Sequence, residues 1–575
     1  MNSKRQLEHS ARFIRDNTKF LDREVKRMQG LPPGAEGIML VKSFVKNPEF
    51  WNTQLRDGLQ SEGAHLKKDR DAVRVARLIL SLGGISELEA GSACVAANDD
   101  VAARQRVQSE LTRIMLVAQA GLNARVSALV RNRRDDIDTA IYCGVGQINM
   151  LTSASDIHLK VNQRGASREE HIRKACDNIK YALDMANGDF VAAAYLEDAS
   201  RGHPAYVADA ARAYQEAGAK YVIFCDTLGE GAPDYIYKYM RYMLGQGVED
   251  IIYHGHNDSA YGAAGTEFAL MAGAAGADGT LFWAGERAGN ASAETLAINL
   301  LRRHGVRTFR RMEKIWPVCH EVARLMNLPI SADAPNVGGR TKTHKAGIHV
   351  AAMGKDVESY EPYPPEAIGA ARKIVTSAVG GKSNVHAHFE RLFRRKMPDG
   401  LQSAFSLSLK QLAHGKDDFS DTEFLMALNR LLDKKIERPL KVVEFVAMTG
   451  NRITPMANLR IKTRGDGVRP IAETGKGQVD AIYKAIGKEA AKHGCRLKTF
   501  NVDPILGGSD SKVTVRISVA KNGRQISAVG RHWDIIQAAE KAFVDAIYGL
   551  EILENFPHAP DLKAELGGGC GAQKK

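Results

Sequence analysis

The sequence predicts an α/β protein: a (β/α)8 barrel, a helical linker subdomain and a C-terminal α+β domain of two βββα repeats. Three observations carry this. Short apolar runs alternate with amphipathic helical stretches about eight times over residues 46–325, the pattern of a parallel sheet joined by crossover helices. Polar residues in those runs gather at their carboxyl ends, the rim where barrels build their sites. A strand–strand–strand–helix order then occurs twice after residue 440. An open doubly wound sheet is the alternative for the first region, but no Gly-rich nucleotide loop opens its first helix. The resulting divisions are a helical arm (1–45), the barrel (46–325), the linker (326–439), the repeat domain (440–552) and a flexible tail (553–575).

In the arm, Leu7, Ala11, Ile14, Leu21, Val25 and Met28 recur at steps of three and four, skipping only Thr18. That is one face of a helix, which docks on the protein's own body or on a sister subunit. LPPGAEG (31–37) then breaks the chain. The barrel strands are read as FWNTQLRDG, ISELEAG, ARVSALV, AIYCGVGQINML, DFVAAAYLEDA, AKYVIFCDTLG, DIIYHGHND and GTLFWAGERAGN. Between them a helix spans 69–82, with Val73, Ala76, Leu78, Ile79 and Leu82 as its buried stripe and Gly83-Gly84 as its end. Another spans 168–185, opened by Ser167 with Glu170 three residues on, a capping-box spacing. Residues 326–445 read as helices with polar loops. The repeats are KVVEFVAMTG, ANLRIKTR and VRPIAETGKG before VDAIYKAIGKEAAK, then RLKTFNVDPI, KVTVRISVA and QISAVGRH before WDIIQAAEKAFVDAIYGL. No ionisable cluster recurs in them, which points to regulation or dimerisation. ELGGGCGAQKK closes the chain as a Gly-rich tail.

Composition narrows the classes. The 44% hydrophobic and 26% charged residues are globular values and exclude fibrous or disordered chains. The net charge of +13 suits anionic partners, either nucleic acid or acidic metabolites. The basic residues are dispersed, without a zinc-finger or RNA-recognition motif, so no nucleic-acid partner is expected. Cys94, Cys143, Cys176, Cys225, Cys319, Cys495 and Cys570 form no CxxC pair and read as reduced thiols. No apolar run reaches a membrane span and the N-terminus has no secretory core, so no membrane partner and a cytoplasmic location are expected.

His254-Gly255-His256 is the sharpest local signal. Residues i and i+2 of a strand share a face, so both imidazoles point the same way at the rim. Asp57, ending the first strand in LRDG, closes onto the last strands of a barrel, and Asn290 offers an amide oxygen beside the eighth. Two imidazoles, a carboxylate and an amide oxygen with open positions suit a divalent ion, Mg²⁺, Mn²⁺ or Zn²⁺. Such an ion is a Lewis acid for a carbonyl. Arg56 beside it suits a carboxylate or a developing alkoxide, and Glu197 is a candidate for acid–base work. The competing reading is that Arg56 with Asp57, and Glu197 with Arg201, are rim salt bridges.

LRDGLQSEG, YLEDASR, DTLG, HGHND and GERAGN, in this order and spacing, resemble the acetyl-CoA-dependent 2-oxoacid condensing enzymes of the DRE-TIM metallolyase group. These include 2-isopropylmalate, citramalate and homocitrate synthases. THKAGIH is similar to the family's post-barrel segment, VGGKSN to its Gly-rich loop, and the repeats to its regulatory and dimerisation domain. The resemblance implies metal ligation by Asp57, His254, His256 and Asn290. It implies that Arg56 polarises the 2-oxoacid carbonyl, Thr227 binds the carboxylate, Asn149 and Tyr195 face the substrate, and Glu197 acts near acetyl-CoA. His349 and Tyr360 match residues that reach the partner subunit's site in a homodimer. The chemistry implied is condensation of the acetyl enolate with the ketone, followed by thioester hydrolysis.

Tyr195 precedes Glu197 by two residues and so faces the lumen with it. Citramalate synthases carry a tyrosine in a similar YLED run, where isopropylmalate synthases usually carry a small residue. EAGSACVA and INMLTSAS also lean towards the citramalate enzymes, favouring pyruvate over 2-oxoisovalerate. Leu59 departs from the family's usual glutamate: RDGLQ is the wording of 3-hydroxy-3-methylglutaryl-CoA lyases, which lack GERAGN, THKAGIH and the repeats. A glycine precedes each repeat helix, at Gly477 and Gly530. Those helix starts either receive an amino-acid effector, isoleucine or leucine, or are ordinary caps.

Overall fold

Eight parallel strands close in sequential order into a barrel. They are β1 (Glu49–Asn52), β2 (Glu87–Ser92), β3 (Arg125–Arg131), β4 (Gln147–Ser153), β5 (Val191–Glu197), β6 (Tyr221–Asp226), β7 (Ile251–Gly255) and β8 (Gly276–Gly279). Closure is by β1 against β8, with Glu49 opposite Gly276 and Asn52 opposite Gly279. This is a computed structural model; it describes residues 3–30, 44–45, 47–94, 101–186, 188–377, 380–412, 418–434, 436–465, 467–492, 494–503 and 511–556. The chain divides into two compact units, Met1–Lys342 with Pro365–Ala371, and Thr343–Pro364 with Arg372–Lys575.

Strand alternation sorts the barrel's side chains. Trp51, Leu129, Ala193, Tyr195, Tyr221, Ile223, Cys225 and Ile252 form one core inside it. Their strand neighbours Phe50, Ala128, Ile148, Ala194, Val222, Phe224 and Tyr253 point the other way and are buried too. Burial on both faces explains why these segments read as continuous apolar runs.

Two strand readings need correction. AIYCG ends the helix Arg134–Tyr142, and β4 begins only at Gln147. The eighth strand is Gly276–Gly279, not the LFW run, which forms a single 3-10 turn at Leu281–Trp283. A strand of Gly, Ala and Asp carries no β-branched or aromatic signal, and the buried Leu281 and Phe282 drew the reading past it. The helix read over 69–82 spans Asp71–Leu80, with Ala72, Val75, Ala76 and Ile79 inward, so its buried face is rotated from the one expected. Arg168–Met185 starts as read, with Ser167 Oγ accepting from the Glu170 N–H.

The arm is one helix, Ser3–Met28, docked on its own unit. Leu21 and Val25 are buried, Asn17 donates to the Gly202 carbonyl at 2.9 Å, and Lys238 pairs with Asp22 at 2.8 Å. LPPGAEG lies outside the described residues.

The second unit holds two three-stranded antiparallel sheets, each followed by a helix. They are Leu440–Gly450, Ile453–Thr463 and Val468–Thr474 with Gln478–Lys492, then Arg496–Val502, Val513–Lys521 and Arg524–His532 with Ile535–Asn555. Ala457, Leu459, Ile461, Val515, Ile517 and Val519 share a core with both helices. On the first sheet Val443, Val446 and Met448 are exposed. The start of the last helix is filled by its own cap, Asp534, which accepts from the N–H groups of Ile536 and Gln537. That helix runs to Asn555 and Phe556 is buried, so residues 553–556 belong to the fold; the rest of the expected tail lies outside the described residues. Among the described residues no helix is long and apolar enough to cross a membrane, and the six cysteines are free.

Candidate active site

After β1 the chain turns tightly, the Thr53 carbonyl accepting from the N–H groups of Arg56, Asp57 and Gly58. The turn carries Asp57 to the carboxyl rim, and barrel closure sets it beside the end of β7. His254 Nε2 lies 3.4 Å and His256 Nε2 3.8 Å from Asp57 Oδ2. One ligand atom from each of the three falls within 4.8 Å of the others, and all three residues are buried. Asn290 pairs with His256 through a backbone bridge and is fully buried. Asp57 Oδ1, His256 Nδ1 and both amide atoms of Asn290 have no hydrogen-bond partner among the described residues. Buried polar atoms are rarely left so, and nitrogen and carboxylate donors of this kind fit a divalent cation.

The loop that delivers Asn290 depends on glycine. Gly289 has φ +83°, and a Cβ there would meet the Trp283 carbonyl oxygen at 1.7 Å. Gly285 lies so close to the Asn290 amide that a Cβ would stand 2.9 Å from its Oδ1.

Asp278, opposite His254 on β8, holds His254 Nδ1 at 2.8 Å, which aims Nε2 at Asp57. Burial alone would lower the imidazole pKa, but the bonds to Asp278 and Asp57 raise it to about 9. Burial and the charge of His254 push His256 down to about 3. Burial would raise Asp57, but Arg56 and His254 override it and hold the carboxyl well below the usual range. The carboxylates thus draw positive charge to this spot, a demand that a metal ion meets as well as a proton.

Arg56 is locked from three sides. Its Nε donates to Glu89 Oε2 at 2.6 Å, its Nη2 to the Tyr195 hydroxyl at 3.1 Å, and its Nη1 lies 3.2 Å from Asp57 Oδ2. Glu89 also accepts from Thr53 Oγ1 and Asn149 Nδ2. The residues converge on a cavity of about 270 Å³. Leu129, Leu151 and Cys225 give it apolar wall; Arg56, Asp57, Tyr195, Glu197, Thr227, His254, His256 and Arg287 give it polar wall.

Asn149, expected to face the substrate, is not on that wall. It is buried, bonded to Glu89 and Ser127, and Leu151, two residues further along β4, takes the wall position. Arg201 does not pair with Glu197 but grips Asp198 with two bonds of 2.7 Å. Glu197 instead faces His158, whose Nδ1 lies 3.1 Å from its Oε2. His349 and Tyr360 belong to the second unit, where both are exposed and their rings stack at 3.9 Å. Leu59 is half-buried in the 3-10 turn Gly58–Gln60, and Gln60 reaches the cavity.

Asp278, Arg287 and His158 escaped the sequence reading. Asp278 lies in the strand placed too late, and Arg287 and His158 sit in loops and a short helix with no strand-end signal. Arg287 donates to Asp258 at 2.7 Å and to the Thr227 carbonyl, which fixes it at the rim.

Residues 47–322 match the HMGL-like family, 337–417 the homocitrate synthase post-HMGL domain-like family, and 420–550 the LeuA allosteric (dimerisation) domain. The chain is 30% identical over 497 residues to a putative (R)-citramalate synthase CimA of Archaeoglobus fulgidus, covering 86% of this chain and 98% of that one. It is 31% identical over 495 residues to a putative (R)-citramalate synthase CimA of Methanosarcina acetivorans, covering 86% and 99%. To the (R)-citramalate synthase CimA of Methanocaldococcus jannaschii it is 28% identical over 500 residues, covering 87% and 98%. A barrel with these rim residues, three consecutive domain matches and relatives aligned over nearly their whole length agree: the chain belongs to the 2-isopropylmalate synthase/citramalate synthase family.

Proposed function

We propose that the protein condenses acetyl-CoA with pyruvate to give citramalate and CoA, the opening step of a branched-chain amino-acid route. The observation that carries this is one small cavity onto which the Asp57–His254–His256 cluster, Arg56, Tyr195 and Glu197 all open. A divalent cation held by Asp57, His254, His256 and Asn290 would supply a Lewis acid for the 2-oxoacid. Arg56, already oriented by Glu89 and Tyr195, presents its guanidinium to charge developing on the ketone oxygen. The Thr227 hydroxyl accepts from the Asp198 N–H at 2.9 Å, which leaves its own proton for the substrate carboxylate. Glu197 takes a proton from the acetyl methyl, the C–H electron pair forms the new bond to the ketone carbon, and the carbonyl π pair moves onto the ketone oxygen, which takes up a proton from water to become the product hydroxyl. Water then cleaves the thioester, releasing CoA and a carboxylate.

Tyr195 supports pyruvate over 2-oxoisovalerate. Its ring lies edge-on to His254 at 5.7 Å and its hydroxyl is bonded to Arg56 and Glu89, so it cannot swing aside for a branched chain. The LeuA-type module supports a homodimer with an amino-acid effector, isoleucine for this substrate, and His349 and Tyr360 would serve the partner's site. A biosynthetic condensing enzyme of this kind works in the cytoplasm.

The test is free-CoA release with pyruvate, 2-oxoisovalerate and 2-oxoglutarate. Pyruvate should give the highest kcat/KM, and Tyr195→Ser should move the ratio towards 2-oxoisovalerate by roughly tenfold, the scale set by a methylene-sized pocket difference. Release with none of the three, or cleavage of 3-hydroxy-3-methylglutaryl-CoA, would overturn the proposal.

A further inference from the structure

β5 ends at Glu197, and the next residue, Asp198, adopts a left-handed conformation at φ 62°. That kink sends two successive carboxylates in different directions. Glu197 opens onto the cavity, whereas Asp198 is fully buried beneath it. Asp198 is clamped by Arg201 at 2.7 Å and by Ser155 Oγ at 2.5 Å, and its N–H reaches Thr227. Ser155 in turn caps the helix Asp156–Val161, accepting from the His158 N–H at 3.2 Å. The clamp therefore fixes both partners at once: the backbone carrying Glu197 and the helical turn carrying His158.

Between those anchors the His158 imidazole spans the two carboxylates, Nδ1 at 3.1 Å from Glu197 Oε2 and Nε2 at 3.7 Å from Asp198 Oδ2. Asn162 Nδ2 lies 3.3 Å from the same Nδ1. The charged groups facing the ring are Glu197, Asp198 and the more distant Arg201; Asp156 on its own helix is occupied by Arg168. His158 does not line the cavity. Its shortest contact with a residue of the cavity wall is the one to Glu197.

We infer that His158 is a positioning residue for Glu197, holding its carboxylate in the direction from which it accepts the acetyl proton. This rests on the reading of Glu197 as that acceptor. The imidazolium keeps its own proton throughout; the transferred proton moves from the acetyl carbon to a Glu197 oxygen and leaves to water before the next turnover. Contact with Glu197 raises the imidazole pKa, against the pull of burial, so the imidazolium persists above the ordinary histidine range.

The test uses the full-length enzyme with its divalent cation, assayed by CoA release. Glu197→Gln should lower kcat by ~10²-fold or more, the scale of general-base catalysis. His158→Ala should lower kcat by ~10-fold or more and leave KM for the 2-oxoacid within ~3-fold, the signature of a role confined to the transition state. His158→Gln, which keeps a donor but no charge, should recover part of that loss. It should also lack the descending limb that the parent enzyme shows as His158 loses its proton at rising pH. In the Glu197→Gln background His158→Ala should add less than ~2-fold, because the two act as one unit. Full activity of Glu197→Gln would remove the reading of Glu197 and this inference with it. Additive losses, a rise in KM at unchanged kcat, or wild-type kinetics for both His158 variants would remove the inference alone.

Discussion

The barrel and the first sheet of the repeat module use strands in opposite ways. In the barrel both faces of each strand are buried, yet Glu87, Glu89, Asp278, Asp57 and His254 are enclosed among apolar neighbours. In the sheet Leu440–Thr474 one face packs Ala457, Leu459 and Ile461 inward, while Val443, Val446 and Met448 remain in water. Burying carboxylates costs folding free energy, and exposing apolar residues on a regular face forgoes stabilisation. Each region therefore departs from the most stable arrangement in the direction of its task. The barrel encloses charge around a small cavity, and the sheet leaves apolar side chains open to solvent in a domain of the LeuA allosteric (dimerisation) family.

The largest expected effect attacks the enclosed charges. Asp57→Ala, or dialysis of the enzyme against a chelator, should lower kcat/KM for the 2-oxoacid by ~10³-fold or more, since the cation's electrostatic work is lost. Readdition of a divalent metal should restore the dialysed enzyme but not the variant; full activity after exhaustive chelation would contradict the cation site. Next comes packing. Phe224→Ala, between the Tyr239 and Tyr253 rings, should cost ~3–5 kcal/mol in denaturant unfolding. Val446→Asp on the open face should cost under ~0.5 kcal/mol by the same measure and weaken self-association in sedimentation. Equal losses would erase the contrast between the two regions.

A pH-dependent effect concerns Glu294, fully buried with both oxygens accepting from the Phe282 N–H. Burial, only partly offset by hydrogen bonds, lifts its pKa from 4.5 to about 7. The folded state therefore keeps a proton that the unfolded chain releases. Stability should fall as pH rises from about 4.5 to about 7, by up to ~3 kcal/mol. Glu294→Gln should flatten that slope in melting curves taken across this range, and an unchanged slope would show that the group is ionised in the fold.

Much of this was legible in the residues. The repeat of apolar runs and helical stretches gave the barrel, and the module's strands stand within a few residues of where alternation put them. The imidazole pair and Asp57 meet because i and i+2 share a face and a closed sheet joins its ends. What escaped was information that alternation does not carry. β8 has only Gly, Ala and Asp, so periodicity overlooked it and Asp278 with it. Asn149 lies on the correct face but one layer too deep, a distinction that depends on the stagger between strands. His158 depends on a six-residue helix whose placement is set by Asp198, a contact between β4 and β5 segments that no local pattern encodes.

The meeting of β1 with β8 has a further consequence, for how the protein is made. Asp57 emerges from the ribosome long before His254, His256 and Asn290, and the ring that unites them cannot shut until the eighth strand is available. A nascent chain halted anywhere earlier holds an open sheet with two bare edges and no assembled centre. Synthesis of this enzyme is all-or-nothing in activity, and the hazardous interval for aggregation is the time between translating residue 49 and residue 279.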